Sequence, residues 1–105
     1  MSLALMTGCA SQKTTVLGKA PASQVVLVSQ LRPSLSPVTI RGTMYEKCPV
    51  AGCWFMVRDK SGVVRVDAKS AGFTVTDVPV NSEVTVQGTV KTVGEKMVIA
   101  SGMQY

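Results

Sequence analysis

Twice between Val38 and Val93 the chain alternates apolar and polar residues and interrupts the alternation with a glycine. The two runs are Val38-Thr39-Ile40-Arg41-Gly42-Thr43-Met44 and Val84-Thr85-Val86-Gln87-Gly88-Thr89-Val90. A period of two is the signature of a strand with one face buried. Val38, Ile40, Gly42 and Met44 therefore share one face, and Thr39, Arg41, Thr43 and Tyr45 the other. A glycine in mid-strand marks a bulge or a sharp coil. A long strand that coils at a glycine can pair with a sheet on each side, as closure of a small barrel requires.

Three further runs continue the pattern. Cys53, Phe55 and Val57 alternate with Trp54, Met56 and Arg58. Val64 and Val66 alternate with Arg65 and Asp67, and Lys96 to Met103 forms the last strand, with Met97, Ile99 and Met103 expected inward. Asp59-Lys60-Ser61-Gly62 predicts a type I turn ending in a left-handed glycine, and Gly94-Glu95 a two-residue hairpin turn. Lys69-Ser70-Ala71-Gly72-Phe73 breaks the alternation. It predicts one helical turn closed by Gly72, with Phe73 folded onto the core. The chain is thus all-β, with three strands, a short helical turn and a hairpin. That is the element order of a five-stranded OB-fold-like barrel, with an SH3-like barrel as the alternative. The two glycine-centred runs also resemble the V-x-V-x-G-x-V strands of OB domains.

The least generic stretch is Cys48-Pro49-Val50-Ala51-Gly52-Cys53-Trp54, which holds two of the three cysteines and the only tryptophan. With Phe55 and Met56 it resembles the C-P-x-x-G-C-W-hydrophobic signature of small exported bacterial OB-like domains of unassigned function. The resemblance implies export and the fold, and brings no catalytic residues. The cysteines themselves admit several readings. A structural disulfide between Cys48 and Cys53 suits an exported protein and would contribute about 2 kcal/mol on the chain-entropy account. Two thiolates with the thioether of Met44, which the alternation puts on the same strand face as Cys48, would suit a soft metal such as copper(I). A redox-active pair lacks the usual C-x-x-C spacing, and two free thiols are the remaining case.

The first residues, Leu3-Ala4-Leu5-Met6-Thr7-Gly8-Cys9, resemble the end of a bacterial lipoprotein signal peptide, which implies acylation at Cys9; a hydrophobic N-terminus with a free thiol is the plainer reading. Residues 1–23 are expected to be signal remnant and linker, and residues 24–105 the barrel domain with its lead-in segment. Within that segment Val25 to Val28 is apolar, one helical turn is expected near Ser29, and the Ser29 hydroxyl could cap it.

The chain has no histidine, which excludes Ser-His-Asp and Cys-His catalysis, histidine-bound zinc and histidine-bound haem. No residue pattern specifies a reaction, and no cofactor is expected. The formal charge is +5, but residues 38–105 set eight Lys and Arg against six acids. That is thin for a polyanion footprint. The outer face of the first three strands nevertheless carries Arg41, Thr43, Tyr45, Trp54, Met56, Arg58 and Arg65. Aromatics interleaved with arginines are what stacking and phosphate contacts need. Single-stranded nucleic acid binding is therefore one reading, although export argues against it. In the plainer one, Trp54 packs on residues 24–36 and the arginines are solvated. The expectation is a non-enzymatic binding or assembly module on the periplasmic side of the cell envelope. It would be membrane-anchored through Cys9 and would meet an envelope protein or a small ligand.

Overall fold

The valine-rich alternations fold as strands wrapped on a common core. The structure is a computed structural model that describes residues 14–105; Cys9 lies outside them. Its strands are β1 (Val16–Gly18), β2 (Ser34–Lys47), β3 (Trp54–Asp59), β4 (Gly62–Asp67), β5 (Ser82–Val93) and β6 (Glu95–Gln104). Two 3-10 turns, Val28–Gln30 and Lys69–Ala71, interrupt them. β2 pairs with β3 on one edge and β5 on the other, β3 pairs with β4, and β6 closes the ring between β4 and β5. The β4–β6 pairing is parallel and the other four are antiparallel. Five strands, β2 to β6, thus form a closed OB-like barrel with a 3-10 turn between its third and fourth strands.

The core follows from the alternation. Ile40 and Met44, Phe55 and Val57, Val64 and Val66, and Val84, Val86 and Val90 are all buried. The helical turn after β4 ends at Gly72 with φ 82, and Phe73 packs against the core. β6 departs from expectation. Val98, Ala100 and Met103 are buried, while Met97 and Ile99 are only half-buried. Against β5 the register slips between Gln87–Gly102 and Gly88–Ala100, which leaves Ser101 as an extra residue. The bulge changes the inward phase partway along the strand.

A second bulge acts in β2. Met44 pairs with Val57, Glu46 with Met56 and Lys47 with Phe55, so Tyr45 is the extra residue. Beyond it Lys47, not Glu46 or Cys48, shares the face of buried Phe55. Its ammonium reaches the end of the barrel and donates to the backbone carbonyls of Val75 (3.2 Å), Thr76 (3.0 Å) and Val78 (2.5 Å). All three of its donors are used to close the connection between the second 3-10 turn and β5.

The N-terminal segment is woven into the barrel. Val16–Gly18, read from the sequence as linker, pairs with Gly102–Gln104 of β6. The Gln87 side-chain carbonyl accepts from the Ala22 amide (2.8 Å), the Ser23 amide (2.8 Å) and the Ser23 hydroxyl (2.7 Å). Val25 then bridges Thr39 of β2 in parallel, Val28 and Leu31 are buried, and Lys96 donates to the Leu31 carbonyl at 2.6 Å. The turn at Val28–Gln30 is not capped by Ser29. The Gln30 side chain accepts from the Leu27 amide, and the Asp59 carboxylate from the Val28 amide.

The mid-strand glycines are places of close approach. A Cβ on Gly42 would press into the backbone carbonyl of Arg58, and one on Gly88 into that of Ile99. The β2–β5 register runs through Gly42 unbroken, so the residue marks a coil and not a bulge. Gly42→Ala should therefore lower stability by about 1–3 kcal/mol in urea unfolding, as overpacking does. Gly62→Ala, whose Cβ would make only ordinary contact with Val28 at 3.5 Å, should leave the midpoint nearly unchanged. Equal effects would contradict the role given to Gly42.

Candidate binding face and cysteine loop

Strand register assembles the outer face in rows. In the first, Glu83, Thr43, Arg58 and Val63 lie side by side across β5, β2, β3 and β4. The second runs Glu46, Met56, Arg65, Met97 and Lys91. Trp54, Asp67, Ile99 and Thr89 make the third. The face thus extends past the three expected strands onto β6. Met97 and Ile99 belong to it, and the sequence could not show this. Met97-Val98-Ile99-Ala100 is apolar throughout, so periodicity has no phase to read there.

Two stacked pairs join this face. The Arg58 guanidinium lies 4.8 Å from the centroid of the Tyr45 ring, and that of Arg65 lies 4.8 Å from the centroid of the Trp54 ring. Both are within the range of a cation–π attraction. The Tyr45 bulge thus carries the phenol to the strand on which Arg58 sits. Trp54 is half-buried with Arg65 over it, whereas the sequence left open its burial against residues 24–36. What those residues do approach is the other end of the face. Val25, Val26 and Leu27 form one wall of a groove of about 550 Å³, with Arg41, Gly42, Thr43, Arg58, Asp59, Lys60 and Glu83 completing it.

Asp59 builds that groove. One carboxylate oxygen accepts from the Ser61 amide (2.7 Å), the Ser61 hydroxyl (2.6 Å) and the Gly62 amide (3.1 Å); the other accepts from the Val28 amide (2.8 Å). This side chain, and not a left-handed glycine, shapes the β3–β4 turn, since Gly62 is not among the residues with positive φ. It also ties the turn to the lead-in segment. Burial raises the carboxyl pKa, but the donors from Ser61, Val28 and Gly62 outweigh it, and the net shift is downward.

At the opposite end sits the cysteine loop. Cys48 and Cys53 are both half-buried, and their sulfurs are not bonded to one another in this structure. The Cys48 amide donates to the Trp54 carbonyl at 3.0 Å, so Cys48 continues the β2 register opposite Trp54. Met44 lies in the core with none of its surface exposed, and the Tyr45 bulge puts it and Cys48 on opposite faces. A copper site of Cys48, Cys53 and Met44 would have to draw the Met44 thioether out of that core and past the bulge. Among the described residues no group of three or more His, Cys, Asp or Glu could hold a metal ion. The loop instead folds its amides around one sulfur, and the Ala51 amide donates to Cys48 Sγ at 3.5 Å. The amides of Ala51 and Val50 lower the thiol pKa, burial opposes them, and those of Gly52 and Cys53 assist; it falls from 9.0 to about 7. Gly52 (φ 62) makes the bend and accepts from the Val75 amide, which anchors the loop to the connection that Lys47 closes.

Neither a protein-family model nor a curated protein matches this chain. Among solved structures it is similar to the hypothetical protein ygiW from E. coli. The TM-score is 0.56 with 24% identity, covering 80% of this chain and 91% of that one. A likeness at that identity is one of fold, and it agrees with the barrel described above.

Two outcomes follow. In a Cys9→Ser/Cys53→Ser background, alkylation of Cys48 by iodoacetamide should rise with pH about a midpoint near 7, following the thiolate. A midpoint near 9 would show that the loop amides do not act on the sulfur. For Asp59 the folded pKa lies below the unfolded one. Its stabilisation is fully present above the ordinary carboxylate value of about 3.9 and is lost as pH falls through the folded value. Asp59→Asn should therefore lower the melting temperature at pH 7 and flatten its fall in acid.

Proposed function

We propose that this protein is a non-enzymatic binding module of the bacterial cell envelope and that its ligand face is the outer surface of β2, β3 and β4. The observation that carries the reading is the pair of stacks, Tyr45 with Arg58 and Trp54 with Arg65. A guanidinium laid over a ring keeps its N–H edge free in its own plane, and the ring limits the freedom it must lose on binding. Two such groups on a rigid sheet form a prepared surface for a partner carrying acceptor groups. The lack of histidine supports a binding role over the common forms of acid–base and nucleophilic catalysis. Export, acylation at Cys9 and a Cys48–Cys53 disulfide belong to the same proposal. They rest on the signal-like N-terminus, the C-P-x-x-G-C-W resemblance and the oxidising compartment those imply.

The test compares the wild-type domain with Trp54→Ala/Arg65→Ala as bait for envelope extracts, after circular dichroism has shown both folded. The wild type should retain a component that the variant loses. Retention of the same components by both would remove the face from the account. Fractionation of cells carrying Cys9→Ala should move the protein from membrane to soluble fractions. Mass measurement without reductant should show two hydrogens missing, and a full thiol count would rule out the disulfide.

A further inference from the structure

The groove at the far end of the face from the cysteine loop has no role so far. It exists because β2 changes edge partner. At Thr39 the edge away from β5 meets Val25 of the lead-in segment, and from Thr43 onward it meets β3. Between those points the two partners diverge, and the gap is walled by Val25, Val26 and Leu27 on one side and the β3–β4 turn on the other. Arg41, Arg58 and Lys60 line it, against Asp59 and Glu83. The Asp59 carboxylate is already committed to four donors from residues 28, 61 and 62. Its charge is turned into the turn and screened by their partial positive charges. Glu83 is the one carboxylate in the groove without that commitment.

We propose that this groove is a subsite for a phosphate-class oxyanion borne on an apolar body; the inference rests on the binding-module reading and assigns the chemistry of one end of its face. Arg58 is the central group. Stacking on Tyr45 orients its guanidinium and leaves the planar edge to donate two parallel hydrogen bonds to one oxyanion. Arg41 supplies the second guanidinium from the neighbouring strand. Lys60, at the tip of the two-residue turn that Asp59 shapes, supplies a mobile point charge. The apolar part of the ligand lies along Val25 to Leu27, where Val25 is 47% exposed. A free phosphate ester and a lipid headgroup offer the same chemistry.

The experiment uses the purified full chain and phenyl phosphate as probe, followed by amide and arginine side-chain NMR shifts. Saturable shifts should centre on Arg41, Gly42, Arg58 and Lys60, and inorganic phosphate should bind more weakly than phenyl phosphate. Arg41→Ala/Lys60→Ala should weaken binding about tenfold or more. Lys69→Ala, which removes a lysine outside the groove lining and the face, should change it less than about twofold. A parallel arm uses phosphatidylcholine vesicles with and without phosphatidic acid. Binding of phenyl phosphate alone identifies a soluble ester, and added retention on the acidic vesicles, lost in Arg41→Ala/Lys60→Ala, identifies a headgroup. Absence of saturable binding in both arms, or binding indifferent to Arg41 and Lys60, overturns the proposal while leaving the Trp54 end of the face to its own test. Tighter binding of a single-stranded oligonucleotide that requires Trp54 would overturn it in favour of a nucleic acid.

Discussion

Closing five strands of unequal length around a core of valines requires the longest strand to belong to two sheets at once. β2 meets that demand through Gly42, where the backbone carbonyl of Arg58 lies against the glycine and leaves no room for a side chain. The strand can coil there without losing its pairing to β5, which runs unbroken from Val38 to Met44. Gly88 of β5 likewise lies against the Ile99 carbonyl of β6, but at the point where the β5–β6 register slips. The two glycines therefore set how tightly the ring closes, and the buried side chains fill the space that closure leaves. Because most of those side chains are valines, each contributing only about 1.5–3 kcal/mol on burial, no single one dominates the core.

A closed ring of unequal strands still leaves backbone edges where a long strand outruns its neighbour. β6 pairs with β4 only over Met97 to Ile99, and β2 meets β3 only from Thr43 onward. The N-terminal segment covers both shortfalls in turn, with Val16–Gly18 on β6 and Val25 on β2. Its backbone polar groups are met by side chains of the barrel, chiefly Gln87, Asp59 and Lys96. This explains why two polar residues, Thr39 and Gln87, are buried beside one another on what would otherwise be an exposed face. The Thr39 hydroxyl is the one buried side-chain polar atom among the described residues that finds no partner.

The barrel was legible in the sequence because strand alternation, turn residues and the helical interruption all point to the same element order. Inward faces were legible wherever alternation was clean, as in Val84, Val86 and Val90. Two bulges lay beyond it. Tyr45 and Ser101 are each an extra residue on one strand, and each reverses the face of what lies beyond it. Nothing in either local sequence announces this, since the bulge is settled by pairing with a distant strand. The consequences reach the site: Met44 leaves Cys48, Lys47 turns inward, and Met97 and Ile99 join the outer face. The groove was invisible for a related reason. It depends on where the lead-in segment meets β2, and Val25-Val26-Leu27 reads as a generic apolar run.

Net charge also proves a weak guide to what the face can hold. Residues 38–105 are only mildly basic, yet their charges are unequally employed. Asp59 is spent on the β3–β4 turn, and Asp67 accepts from the Lys69 amide at 2.8 Å where the second 3-10 turn begins. Both carboxylates direct their oxygens into backbone donors. Arg58 and Arg65 instead lie over rings, which attract the cation without neutralising it. A carboxylate that accepts several amide hydrogen bonds has little further to offer a ligand, whereas a stacked guanidinium retains its in-plane donors. The local field is therefore more positive than the count of charges implies. It is strongest where Arg41, Arg58 and Lys60 converge, opposed there only by Glu83 and an already committed Asp59.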